Sequence, residues 1–176
     1  MISFFSRGYD LFCMSVCIIY HSESGNTRHI AQHIASAIPD TRIIEVTDKA
    51  EHSRVTRFLM QCKAAMSEDT TTIEPAQIAV RDYDLIVFGS PVWAFKPTPA
   101  IHAAIQALTG CEKKRAIAFA THGGKPGKTE ETFKKWIESR GMQFVGFKDI
   151  NQKDIEDDTK NADVVKFVKE AIPSYL

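Results

Sequence analysis

Val16-Cys17-Ile18-Ile19-Tyr20-His21-Ser22-Glu23-Ser24-Gly25-Asn26-Thr27-Arg28-His29-Ile30 is the stretch on which the fold turns. Its first five residues are apolar and rich in β-branching, as a buried strand requires. From Arg28 onward, Ile30, Ile34 and Ile38 recur at four-residue spacing, the apolar stripe of a helix. Between them lies a short polar loop. A strand that passes through such a loop into a helix start leaves free backbone N–H groups and the helix dipole facing an anion. The hydroxyls of Ser22, Ser24 and Thr27 add donors, and Gly25 lets the main chain come close. The loop reads as a phosphate cradle, although an ordinary N-capped turn uses the same residue types. It is neither G-x-x-x-x-G-K-[ST] nor G-x-G-x-x-G.

Outward from this stretch, Arg42-Ile43-Ile44-Glu45-Val46 reads as a second strand entered through Pro39-Asp40. Val55, Phe58, Leu59, Cys62 and Met66 share one helical face. Residues 67–80 lack clear periodicity and are expected as a surface excursion. Asp84 to Gly89 is a continuously apolar central strand, followed by a loop from Ser90 to Pro99. Ile101, Ala104, Ile105 and Leu108 stripe the next helix, closed by Gly110. Arg115 to Ala120 is the fourth strand and opens into Thr121-His122-Gly123-Gly124-Lys125-Pro126-Gly127-Lys128. A helix burying Phe133, Trp136 and Ile137 stops at Gly141, Gln143 to Phe147 is the fifth strand, and Val164, Phe167, Val168 and Ala171 stripe the last helix. Five strands alternating with five helices predict an α/β doubly wound five-stranded parallel sheet with helices on both faces. Ligands of such sheets bind beyond the carboxyl ends of the strands, where the strand order reverses. The informative loops here follow strands one, three and four.

Ser22-Glu23-Ser24-Gly25-Asn26-Thr27 resembles the [ST]-x-[ST]-G-x-T phosphate loop of flavodoxin-like proteins, which hold flavin mononucleotide (FMN). Tyr83-Asp84-Leu85-Ile86-Val87-Phe88-Gly89-Ser90-Pro91-Val92-Trp93 is similar to that family's Y-D-[apolar]4-G-[ST]-P-x-[WY] segment. The resemblance spans roughly residues 16–172 and implies a flavodoxin-like fold with FMN as cofactor. It places the phosphate at Ser22, Glu23, Ser24, Gly25, Asn26 and Thr27. It places the flavin ring against Pro91, Val92, Trp93, Ala94 and Phe95, and the ring's polar edge against Thr121, His122, Gly123 and Gly124. A flat apolar ring needs such an aromatic wall, although Trp93 and Phe95 packing inward would also suit the sequence. Phe95 stands where the family often has glycine, and phenylalanine disfavours the backbone freedom glycine gives. His122 is expected as a solvated loop histidine.

Lys+Arg and Asp+Glu are equal at 22 each, so no global field favours nucleic acid or an anionic membrane. Lys96, His122, Lys125 and Lys128 make the expected rim basic, with Glu130 the first carboxylate after them. A basic rim raises the potential of the reduced flavin and suits an anionic donor such as NAD(P)H. With this rim, the flavodoxin-like resemblance implies an FMN-dependent NAD(P)H oxidoreductase acting on quinones or similar small acceptors, with a flavodoxin passing electrons between redox protein partners as the alternative. Cys13, Cys17, Cys62 and Cys111 have no metal-ligand spacing and are expected as free thiols of a cytoplasmic protein. Residues 1–15 form an apolar N-terminal extension to a domain spanning 16–176. It has no A-x-A-like cleavage site and is too short to span a membrane, and is either a free arm or packed on the surface or on a second subunit of a homo-oligomer.

Overall fold

Along each central strand the side chains alternate between two apolar faces, so both faces need a helical cover. In the computed structural model, which describes residues 14–49 and 71–173, that cover is present. Strands β1 (Val16–Tyr20), β2 (Thr41–Glu45), β3 (Leu85–Trp93), β4 (Arg115–His122) and β5 (Gln143–Asn151) lie parallel in the order β5-β4-β3-β1-β2. Helices α1 (Asn26–Ala37), α2 (Pro99–Gln106), α3 (Thr129–Ser139) and α4 (Asp158–Ala171) complete the described layers. The expected helix containing Val55 to Met66 lies outside the described residues. The chain leaves β1 for β2 on one side and returns to β3 on the other, which opens the crevice at the carboxyl ends of β1 and β3.

Cys17 and Ile19 of β1, Ile86 and Phe88 of β3, and Ala116 and Ala118 of β4 share one core with Ile101 and Ile105 of α2 and Phe133 and Ile137 of α3. Val16, Ile18, Leu85, Val87, Ile117 and Phe119 point the other way, into a core with Ile30 and Ile34 of α1 and Val164 and Val168 of α4. Each fully buried side chain of this size contributes about 1.5–3 kcal/mol of transfer free energy. Period two in the strands and 3.6 in the helices thus fixes which helix covers which face.

Three expectations need correction. The described end of the excursion is stitched into the core: Ile73–Glu74 pairs antiparallel with Thr47–Asp48, Ile78–Ala79 pairs parallel with Leu108–Thr109, and Ile73, Ile78 and Val80 are buried. Helix α2 stops at Gln106, because Leu108 is taken up by that short pairing. Strand β3 does not end at Gly89 but continues through Trp93, since Ser90 and Pro91 still find register partners in Ala120 and Thr121. Among the described residues no helix is long and apolar enough to cross a membrane.

Candidate functional site

The ladder register brings the three loops to one edge. His21 N–H continues the β1–β3 ladder by donating to the Gly89 carbonyl at 3.0 Å, and Pro91 lies beside Thr121. The hydroxyls of Thr27 and Thr121 meet at 2.9 Å, both buried, tying the first turn of α1 to the end of β4. Thr27, expected as a phosphate donor, therefore has its hydroxyl engaged. A hydroxyl pair shares one proton, so the accepting partner keeps a proton to donate elsewhere.

Within the loop, Ser22 Oγ accepts from the N–H groups of Gly25 and Arg28, each at 3.2 Å, and so turns the chain back on itself. Gly25 is the residue before α1, with φ +95° and no atom within 4 Å of where a Cβ would stand. A side chain there would be strained and would project into the open space in front of the loop. Gly25 offers no side-chain cap and the first turn of α1 holds no acidic residue; Ser22 takes the Arg28 amide, which leaves those of Asn26 and Thr27 to attract an anion. Arg28, the cation beside this loop, is held away by Glu45: its Nε donates to Oε2 at 3.1 Å, and Tyr20 Oη donates to the same oxygen at 3.0 Å. The Arg28 hydrogen bond holds the Glu45 carboxyl below the usual carboxylate range, while burial pushes the Tyr20 phenol up. The loop thus offers main-chain amides and hydroxyls, with its neighbouring cation engaged elsewhere. Ser24 and Glu23 are exposed on it.

His21 closes the floor of the site, and its role was missed in the sequence. It is 5% exposed, its Nδ1 donates to the Val46 carbonyl at 2.8 Å, and its ring meets Trp93 edge-on with centroids 5.8 Å apart. Its Nε2 is buried without a hydrogen-bond partner, the nearest carboxylate being Glu23 at 3.9 Å. A buried polar atom in this condition has capacity for one more hydrogen bond at the edge of the site. The signal was available: His21 lies in phase with Cys17 and Ile19, so it extends an inward-facing row.

The strand-three segment closes as a hairpin. Lys96–Pro97 folds back antiparallel on Val92 and Trp93, leaving Ala94 and Phe95 as a two-residue turn. Both residues are left-handed, with φ +46° and +64°. Tight hairpins demand this geometry and ordinarily supply asparagine and glycine for it. Here an alanine and a phenylalanine adopt it at about 1–2 kcal/mol each. The expectation that Phe95 would resist such a backbone is overturned. The conformation is held by Ser90 Oγ, which accepts from Thr98 N–H at 2.9 Å, and by the Phe95 carbonyl, which accepts from Lys128 N–H at 2.9 Å. Trp93 is half-buried, and Phe95 is 63% exposed.

The strand-four loop departs further from expectation. His122 is not solvated: it is 8% exposed and its Nε2 lies 3.0 Å from Asp149 Oδ2 on β5. The strand runs two residues longer than its apolar core suggested, and that carries His122 into the sheet. Gly123 backs onto Gln152, whereas Gly124 faces open space. Burial pushes the Cys17 thiol up to about 12 and raises that of Cys111, so neither is a nucleophile.

Residues 14–148 match the family of NADPH-dependent FMN reductases. The chain belongs to that family. No curated protein matches it in sequence. Among solved structures, a flavoprotein from Lactobacillus acidophilus NCFM in complex with FMN is 24% identical over 83% of this chain and 97% of that one, with a TM-score of 0.65. The two-electron reduced flavodoxin of Megasphaera elsdenii is 19% identical over 89% of this chain and 97% of its own, at a TM-score of 0.57. At such identities the likeness speaks to the fold, which is flavodoxin-like. The family match ends within β5, so it covers all three loops of the crevice.

Proposed function

We propose that this member of the NADPH-dependent FMN reductase family holds FMN across the ends of β1, β3 and β4 and transfers electrons from NADPH to a small quinone-like acceptor. The observation that carries the reading is the open space in front of Gly25 at the start of α1, with the buried Nε2 of His21 and the half-buried ring of Trp93 beside it. These residues fit a phosphate joined to a large flat ring. When bound, FMN supplies two-electron chemistry: NADPH and a proton convert a quinone to its hydroquinone, leaving NADP+.

The chain's own part is to bind, orient and exclude. The amides of Asn26 and Thr27 and the hydroxyl of Ser24 hold the phosphate, Pro91 to Phe95 wall the ring, and the main chain from Thr121 to Gly124 meets its polar edge. Glu23 sits at the lip of the cradle. The test is anaerobic: FMN-loaded protein is mixed with NADPH while the flavin absorbance is followed. Rapid bleaching, reversed by 2-methyl-1,4-naphthoquinone, is the expected result. Flavin that stays oxidised with NADPH yet accepts electrons from a reduced redox protein would make the chain a carrier instead.

A further inference from the structure

We infer that Asp149 is a positioning residue for the proposed flavin site: through His122 it fixes the main chain of Thr121 to Gly124, which meets the polar edge of the ring. This deepens the FMN reading and rests on it. The ladder between β3 and β4 ends at the pair Pro91 and Thr121, whereas β5 pairs one residue further, with Asn151 opposite His122. The sheet therefore places His122 from the β5 side. Asp149 stands opposite Ala120, two residues before His122, so side-chain alternation puts Asp149 and His122 on one face as diagonal neighbours.

Their side chains meet there, with His122 Nε2 3.0 Å from Asp149 Oδ2. A carboxylate only accepts, so Nε2 carries the proton and donates it. The partners are unequal: 6% of the His122 side chain is exposed, against 50% of that of Asp149. Nδ1 of the same ring is buried without a hydrogen-bond partner among the described residues. Truncating Asp149 therefore spares the core yet leaves a buried imidazole with neither nitrogen engaged, and the ring is free to turn. The next loop residue is held from the same side, since a Cβ on Gly123 would stand 3.0 Å from Gln152 Nε2. The family match ends at residue 148, so the loop lies within it while Asp149 and Gln152 lie just beyond. Ser22 to Thr27 serve the phosphate in the proposed site, and Thr121 to Gly124 serve the ring. A residue acting through His122 must then weaken every ligand that carries the ring, whether or not it carries the phosphate.

The experiment is fluorescence titration of oxidised FMN and of riboflavin, which lacks the phosphate, against the full chain. The variants are Asp149→Ala, Asp149→Asn, His122→Phe and the double variant Asp149→Ala/His122→Phe. Asp149→Ala is expected to weaken both flavins by the same factor, about fivefold. Asp149→Asn keeps an oxygen that accepts from Nε2 and is expected to stay within about twofold of the wild type. The double variant is expected to bind no more weakly than His122→Phe alone, because Asp149 acts only through the imidazole. Circular dichroism confirms folding, and Asp149→Ala tests the role even where a variant at the buried His122 fails to fold. Asp149→Ala that binds both flavins unchanged, or that weakens FMN alone, overturns the role. So does full additivity in the double variant, or an Asp149→Asn effect as large as that of Asp149→Ala. Wild-type protein that binds neither flavin overturns the FMN reading and this role with it, whereas the other contrary results overturn the role alone.

Discussion

The Ser22–Thr27 loop and the Ala94-Phe95 hairpin tip lie at the carboxyl end of the same sheet but are built by opposite means. In the cradle, the one residue with φ above zero, at +95°, is a glycine, Ser22 tidies the loop amides, and nothing is strained. At the tip, alanine and phenylalanine occupy left-handed positions that glycine would fill without cost. The contrast separates two tasks. Holding a phosphate requires main-chain amides and empty space, so the sequence there is free of bulk. Placing an aromatic ring at the hairpin tip requires a side chain at that point, and the backbone bears the cost.

Gly25→Val is the sharpest way to break this contrast. It forces a β-branched residue into a left-handed conformation and fills the cradle, so FMN affinity is expected to fall about 10- to 100-fold by flavin fluorescence titration. Because no atom lies within 4 Å of the new Cβ, the fold should survive. Phe95→Gly should act in reverse. Urea unfolding is expected to show the protein about 1 kcal/mol more stable, through relief of strain, while FMN affinity falls about fivefold with the loss of part of the aromatic wall. A loss of stability would mean that the Phe95 ring packs more than its exposure indicates.

Charge effects at the rim are smaller. Lys125 and Lys128 are exposed on the strand-four loop, and Glu130 and Glu131 open α3 just beyond them. Reversing both lysines to glutamate should lower the two-electron flavin potential by about 10–20 mV in a redox titration at low salt, since exposed charges are screened. The smallest effect concerns Glu45. Its carboxyl is depressed by Arg28 from an ordinary value of 4.5, so the stabilisation is complete above that value in the unfolded chain and is lost as pH falls through the folded one. Glu45→Gln should therefore flatten the acid limb of a stability–pH curve by less than about 1 kcal/mol, the pair being partly exposed.

The sheet and the cradle were legible in the sequence for local reasons. Val16 to Tyr20 and Leu85 to Phe88 are apolar on every residue because both faces are covered, and Ser22 to Thr27 declares a loop by composition alone. The hairpin was not legible, because a turn of Ala94-Phe95 violates local preference and is held by Ser90, Thr98 and Lys128 from outside it. His122 misled for a similar reason: its partner, Asp149, is on another strand. Ile73, Ile78 and Val80 looked like surface because their pairing partners are Thr47–Asp48 and Leu108–Thr109, distant in sequence.

The proposed grip of Ser22 to Thr27 on a phosphate is open to direct measurement. Riboflavin carries the same ring as FMN without that group, so the direct measurement compares the dissociation constants of the two on the purified full chain. FMN should bind at least about 100-fold more tightly, with Gly25→Val removing most of that preference. Equal affinities for FMN and riboflavin would contradict it.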